Sequence, residues 1–297
     1  MACPYELESR TAQEISKGDK QMAFSVNTNA SALSALQNLN KTGMALTDVQ
    51  TAINTGMKVA SAKDNGATFA IAQSLRADVA GIKAATASID RALSTIDVAI
   101  AAGEAVSDLL IEMKEKAVAA KDAGLDTSSR EALNNDFGQL RDQITSIVNN
   151  AEFNGINAVE SGGTSISAIT NDDGTSQLTI TAQDLSLTGS VVAISASQAI
   201  ATSGAASVAV ADIETSIENV NDSLSTLGAG ANRLELQKDF VGKLSDTIEI
   251  GIGNLVDADM AKESAMLQSL QVKQQLGLQA LSIANQAPQA VISLFNG

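Results

Sequence analysis

Apolar residues recur along most of this chain at gaps of three and four. From Asn29 to Ser61 they fall at Ala32, Leu36, Leu39, Gly43, Leu46, Gln50, Ile53, Met57 and Ala60. That is a heptad seam, with Gly43 and Gln50 as its weak positions. It predicts a helix capped by Asn29 or Thr28, followed by a turn or hinge at Lys63-Asp64-Asn65-Gly66. A second seam runs through Leu75, Val79, Ile82, Thr86, Ile89, Leu93, Ile96, Ile100, Gly103, Val106, Leu110, Met113, Ala117 and Ala120. It predicts a single helix of about 50 residues, roughly 75 Å at 1.5 Å per residue. Helices of that length point to coiled packing.

Gly124-Leu125-Asp126 ends this helix, and Ser128 with Glu131 has the S-x-x-E form of a capping box. Leu133, Phe137, Leu140, Ile144 and Ile147 give the next helix its buried face. Phe153-Asn154-Gly155 closes it with residues suited to positive φ. The character then changes. Ser and Thr supply 17 of the 48 residues from 161 to 208, and QLTITAQDLSLTG alternates apolar with polar, the pattern of a strand. Leu178, Ile180 and Ala182 would share one side, followed by Leu185 and Leu187. Asn171-Asp172-Asp173-Gly174 suits a hairpin turn.

From Ile213 the helical seam returns through Leu224, Leu227, Ala231, Leu234, Lys238, Val241, Leu244 or Ser245, Ile248, Ile252 and Leu255. Lys238 is a polar intrusion able to fix register. Asp257-Ala258-Asp259 breaks the seam, and Lys262–Gly297 forms a closing helix. Its apolar side carries Leu267, Leu270, Leu278 and Leu281, with Leu276 and Ile283 adjoining. Its other side carries Gln268, Gln271, Gln274, Gln275 and Gln279, neutral amides in place of Lys and Glu. Such a helix is not stable alone, and the helix of residues 29–61 is its expected partner. The expected fold is mainly α: a long antiparallel helical coiled-coil rod, its N- and C-terminal helices paired, with a small β-rich central insertion.

The expected organisation is nested. Residues 1–21 lack helical periodicity and read as a poorly ordered extension. Met22 opens MAFSVNTNASALSALQNLNKT and is a natural start by itself, so residues 1–21 are either a mis-assigned beginning or a flexible arm. Residues 22–62 and 262–297 form a terminal coiled coil. Residues 63–160 and 208–261 form a helical rod, and 161–207 a small β-rich surface insertion.

Composition narrows the function. Seven aromatic residues and no Trp among 297 suit thin helical bundles better than a large globular core. A formal charge of −15 disfavours nucleic acid and anionic membranes as partners. No apolar run approaches the ~18–20 residues that span a bilayer, and the first residues lack a secretory signal pattern. With one Cys and no His, an internal disulfide, a cysteine metal cluster and histidine general-base chemistry are excluded. No catalytic, cofactor or metal site is expected.

Several stretches together resemble bacterial flagellin: SVNTNASALSALQNLNKT (25–42), TGMKVASAKDNGATFAI (55–71), FNG at 153–155, ANRLELQKDF (231–240) and LSIANQAPQAVISLFNG (281–297). Each is moderately specific alone; their order and terminal placement are specific together. The similarity covers nearly all of 22–160 and 213–297, and it resembles a short, alphaproteobacterial form. The resemblance implies a structural subunit of the flagellar filament, exported unfolded through the flagellar type III channel and self-assembling through its terminal helices to give motility. It implies a secreted, extracellular location in the filament. It implies partners in further copies of itself, in a homopolymer or mixed filament, and in the export apparatus, a flagellin chaperone, and cap and hook-associated proteins. The alternative is the hook–filament junction protein, which shares the flagellin termini.

Most seam positions are read as intramolecular packing and the remainder as subunit contacts. The candidate self-assembly residues are Leu33, Leu36, Leu39, Ile53, Leu267, Leu270, Gln271, Gln275, Leu278, Leu281, Leu294 and Phe295. The glutamines have a plainer reading, as a solvated face. Two family features bear on the surface. Flagellins often carry O-linked sugars on outward loops, though nothing here singles out an acceptor. Many are sensed by an innate immune receptor through an Arg and a Leu in the segment matching 110–119. Glu112 and Lys116 stand at those positions, which implies weak recognition or none.

Overall fold

The computed structural model describes residues 28–295, and the side chains of residues 28–286. The chain is mainly helical. In order come α1 (Ala30–Thr55), α2 (Gly66–Ala120), α3 (Thr127–Asn150), the short strands β1 (Glu152–Phe153), β2 (Ile156–Asn157), β3 (Ile166–Ile169) and β4 (Gln177–Ile180), then α4 (Ser203–Val256) and α5 (Met260–Phe295). Two compact units result. Residues 28–66 with 256–295 form the first, and Ala67–Leu255 the second.

In the first unit α1 and α5 run antiparallel. Asn29 caps α1, accepting from the Ala32 N–H through its side chain, while its Nδ2 donates to Ala284 O at 2.7 Å. At the other end Met57 bridges Asp257, and the Lys58 N–H donates to Val256 O. The helical periodicity reads on to Ser61, but α1 stops at Thr55. Gly56 follows at φ +71, a left-handed C-cap that glycine adopts without a Cβ penalty. Met57 and Ala60 therefore lie in a non-helical connector. Asp64 closes that connector, its carboxylate accepting from the Ala60 and Ser61 N–H groups.

The second unit holds the main core. Ile89, Ile96, Leu110 and Met113 of α2, Phe137 and Ile144 of α3, and Ile213, Leu227 and Leu234 of α4 are all buried. Many other buried α2 positions are alanines, among them Ala85, Ala92, Ala99 and Ala117, and small side chains let helix axes approach closely. α3 begins two residues earlier than the capping box implies. Asp126 is the N-cap and accepts from the Ser129 N–H, because a carboxylate is the stronger acceptor at a helix N-terminus. That hydrogen bond holds the Asp126 carboxyl below its usual range.

α3 leads into the β1–β2 hairpin, turned by Asn154 (φ 52) and Gly155 (φ 79). Asn157 is buried there. Its Nδ2 donates to Val148 O, and its Oδ1 accepts from the Val159 and Glu160 N–H groups. β3 pairs antiparallel with β4 in the register Ile166↔Ile180, across a turn in which Gly174 has φ +70. Ser88 of α2 accepts from the Ile169 N–H, and Gln237 of α4 donates to Thr170 O. The hairpin thus lies against both long helices.

The rest of the middle is neither strand nor solvated loop. Leu185 is buried but outside any strand, and Leu187 makes only an isolated bridge to Val192. From 181 to 202 the backbone is irregular, yet Leu185, Val191, Val192, Ile194 and Ile200 sit in the core. Side chains replace a ladder: Ser216 accepts from the Ala193 N–H, Asn219 donates to Val191 O, and Asn134 accepts from the Ile200 N–H. α4 also starts ten residues before Ile213, on buried Ala206 and Ala209. Lys238 is not in its seam. It is exposed and donates to Asp90 at 2.8 Å, which holds its amine above the usual range. Gln237 takes the half-buried position instead.

Candidate assembly surface

The α1–α5 pair shows which apolar residues close on each other and which stay open. On α1 the half-buried or buried positions are Ala32, Ala35, Leu39, Thr42, Gly43, Ala45, Leu46, Val49, Ala52 and Ile53. Five of these, Ala32, Leu39, Gly43, Leu46 and Ile53, match the sequence seam. Leu36 and Gln50 do not: Leu36 is 44% exposed and Gln50 is exposed, while their neighbours Ala35 and Val49 turn inward. On α5 the seam runs through Glu263, Leu267, Leu270, Gln274, Gly277, Leu281 and Ala284. Gly277 stands where Leu278 was expected. A Cβ at Gly277 would lie 3.2 Å from Leu39 Cδ1, so the helices meet there at glycine distance.

The candidate residues therefore divide. Leu39, Ile53, Leu267, Leu270 and Leu281 hold the pair together. Leu33, Leu36, Gln271, Gln275 and Leu278 face water in the single chain. Leu294 and Phe295 lie outside the described side chains. Sequence reasoning did not select Met44, Val272, Leu276 or Ile283, all exposed. At about 100° per residue, Val272, Leu276 and Ile283 fall on one face of α5. They form a second apolar stripe that the seam does not use, and Ile283 is 68% exposed.

Between seam and stripe lies the amide flank. Gln268, Gln271, Gln275, Gln279 and Ser282 share one side of α5, all exposed. On α1 the steps Leu33, Leu36, Asn40, Met44, Thr47 and Thr51 share another. No charged residue falls on these steps. α1 holds only Lys41 and Asp48, and α5 only Lys262, Glu263 and Lys273, with none from Gln274 to Phe295. A solvated helix normally carries many charges; these two carry hydroxyls, amides and open leucines. Among the described residues, no cluster of His, Cys, Asp and Glu could hold a metal, and no helix is long and apolar enough to cross a membrane.

The bacterial flagellin N-terminal helical region matches residues 26–164, and the C-terminal helical region matches 210–295. The flagellin FljM of Caulobacter vibrioides is 50% identical over 271 residues, covering 91% of this chain and 98% of that one. A flagellin of Brucella melitensis is 33% identical over 282 residues, covering 92% and 99%. Among solved structures, one from Vibrio parahaemolyticus described as a flagellar hook-associated protein has a TM-score of 0.55 at 13% identity, covering 65% of this chain and all of that one. That likeness concerns the fold. With two family regions matched in order and half of the residues shared with a full-length relative, the chain belongs to the bacterial flagellin family.

Proposed function

We infer that this chain is a structural subunit of the bacterial flagellar filament and joins copies of itself through the surfaces that α1 and α5 leave open. Flagellins are structural proteins, and this chain is one, not an enzyme. One observation carries the assembly surface. The α1–α5 pair has almost no charge, yet it leaves Leu33, Leu36, Leu278, Val272, Leu276 and Ile283 in water. Full burial of each such side chain contributes roughly 1.5–3 kcal/mol. A pair with so thin a core gains most of its order when neighbours cover it, which couples folding to polymerisation. Repeating a head-to-tail contact that does not close gives an open helical filament.

The same reading makes the protein extracellular, delivered by the flagellar export apparatus with a flagellin chaperone and meeting cap and hook-associated proteins at the ends of the filament. A hook–filament junction role is the second reading, favoured by the fold likeness to the Vibrio structure. Identity to flagellins along nearly the whole chain supports the filament. Purified chain added to filament fragments and viewed by electron microscopy separates the two. Extended filaments are expected; short caps that stop growing would indicate the junction protein, and no growth under any condition would sink both.

A further inference from the structure

We propose that the exposed methionines of the first unit are a modification site: a hydroperoxide converts Met44, Met260 and Met266 of the unassembled chain to sulfoxides, and the oxidised chain joins its copies poorly. The second half rests on the filament reading and goes beyond it by naming a reaction that controls assembly.

Two observations converge there. The first is where the oxidisable groups lie. The chain has no Trp and no His, and Cys3 and Tyr5 lie outside the described residues. Within the described residues, thioethers are what a hydroperoxide finds to oxidise. Met44, Met57, Met260 and Met266 belong to the first unit, and only Met113 to the second. The second observation is exposure. Met44 is 61% exposed, Met260 45% and Met266 43%, whereas Met113 is fully buried in the core of the second unit. Met57 is half-buried in the connector. Oxidation follows access, so the open unit takes the reaction and the closed one does not.

The thioether sulfur attacks one peroxide oxygen. The O–O bond breaks as the S–O bond forms, and the other oxygen leaves as water, taking the proton of the first. Sulfur is oxidised by two electrons and the peroxide is reduced by two. An unbranched apolar side chain thereby becomes polar. Met44 shares its side of α1 with Leu33, Leu36, Asn40, Thr47 and Thr51, and no charge falls among them. A sulfoxide accepts hydrogen bonds and donates none, so covering it with a neighbour's apolar side chain leaves a buried acceptor unpaired. The same side is shielded once a neighbour sits on it, which confines the reaction to the free chain.

The test uses full-length chain and hydrogen peroxide. After treatment a thiol reductant reverses disulfide and sulfenic oxidation at Cys3 and leaves sulfoxides in place. Peptide mass mapping should show Met44, Met260 and Met266 oxidised at least about tenfold faster than Met113, with the second unit unfolding as before. In seeded growth the oxidised chain should need a concentration higher by about tenfold or more than untreated chain. The variant Met44→Leu/Met260→Leu/Met266→Leu keeps side-chain volume; against its own untreated sample, peroxide should cost it less than about twofold. The variant Met44→Gln/Met260→Gln/Met266→Gln, which places a polar group there permanently, should show the loss without peroxide. Four results overturn the proposal: Met113 oxidised as fast as the other three, undiminished growth of oxidised wild type, undiminished growth of the Gln variant, or a Leu variant that peroxide impairs as much as wild type. Untreated wild type that grows no filament overturns the filament reading instead, and the mass map still reports whether the three methionines are the site.

Discussion

The two units use the same side chains to opposite ends. In the second, Ile and Leu from three helices and an irregular segment close on one another, and every buried polar side chain among the described residues has a partner. In the first, only Val49, Val59, Val256 and Leu270 are buried apolar residues among those described, while leucines and an isoleucine stand in water. Charge divides the same way. The closed unit carries −14, and the described residues of the open one hold five cations against five anions. A unit that finishes its own core can afford repulsion from its neighbours; one that relies on them cannot. Under the proposed filament reading, the exposed leucines of this nearly neutral helix pair belong to contacts between copies.

Substitutions can break this contrast, and the largest effect should come from the closed core. Phe137→Ala removes a fully buried ring and should cost about 3–5 kcal/mol, read as a lower midpoint in denaturant unfolding. Leu270→Ala should cost about 2–5 kcal/mol if α1 and α5 pair on their own in solution; rapid amide exchange in both helices before and after substitution would show that only assembly pairs them. Asn157→Ala leaves the Val148 carbonyl and two N–H groups without their partner, for about 1–3 kcal/mol. Changing Gln271 and Gln275 together to Glu should move unfolding of the second unit by less than about 0.5 kcal/mol and still impair polymerisation. Normal filaments from that variant would make the amide flank merely solvated.

The smallest effect is acid-dependent. The Asp126 carboxyl titrates below its usual value in the folded chain. It therefore favours folding above that usual value, and the contribution fades as pH falls through the depressed one. Wild type and Asp126→Asn should differ slightly at neutral pH and converge in strong acid. A difference that grows on acidification would contradict the assignment.

Much of the second unit was legible from spacing because its helices have one apolar job. The seam of α2 from Leu75 to Ala120 and the break at Asp257–Asp259 follow directly from the periodicity, as does the turn at 171–174. The first unit was half legible for the opposite reason. α1 has two apolar faces, and spacing alone puts Leu36 in a seam where small Ala35 belongs. Spacing and hydropathy likewise favour Leu278 over Gly277, a glycine whose value is steric. The helix end at Gly56 hid behind apolar residues that continue the spacing into an extended connector. The irregular segment 181–202 alternates like a strand but has no ladder partner, and its bonds to Ser216, Asn219 and Asn134 come from far along the chain.

Four threonines on α1 carry a consequence for how that helix sheds water. Thr42, Thr47, Thr51 and Thr55 each donate their hydroxyl proton to a carbonyl one turn back, at 2.8–3.1 Å. That bond bends a helix slightly, but it also settles the hydroxyl's donor within the helix itself. What Thr47 and Thr51, on the open side of α1, then turn outward is a methyl group and a spare lone pair; Thr42 is half-buried in the seam, and the Thr55 oxygen also accepts from the Met57 N–H. A row of residues that looks hydrophilic in the one-letter code is in this respect half dehydrated before any neighbour arrives. A neighbour can press against it without owing it a hydrogen bond.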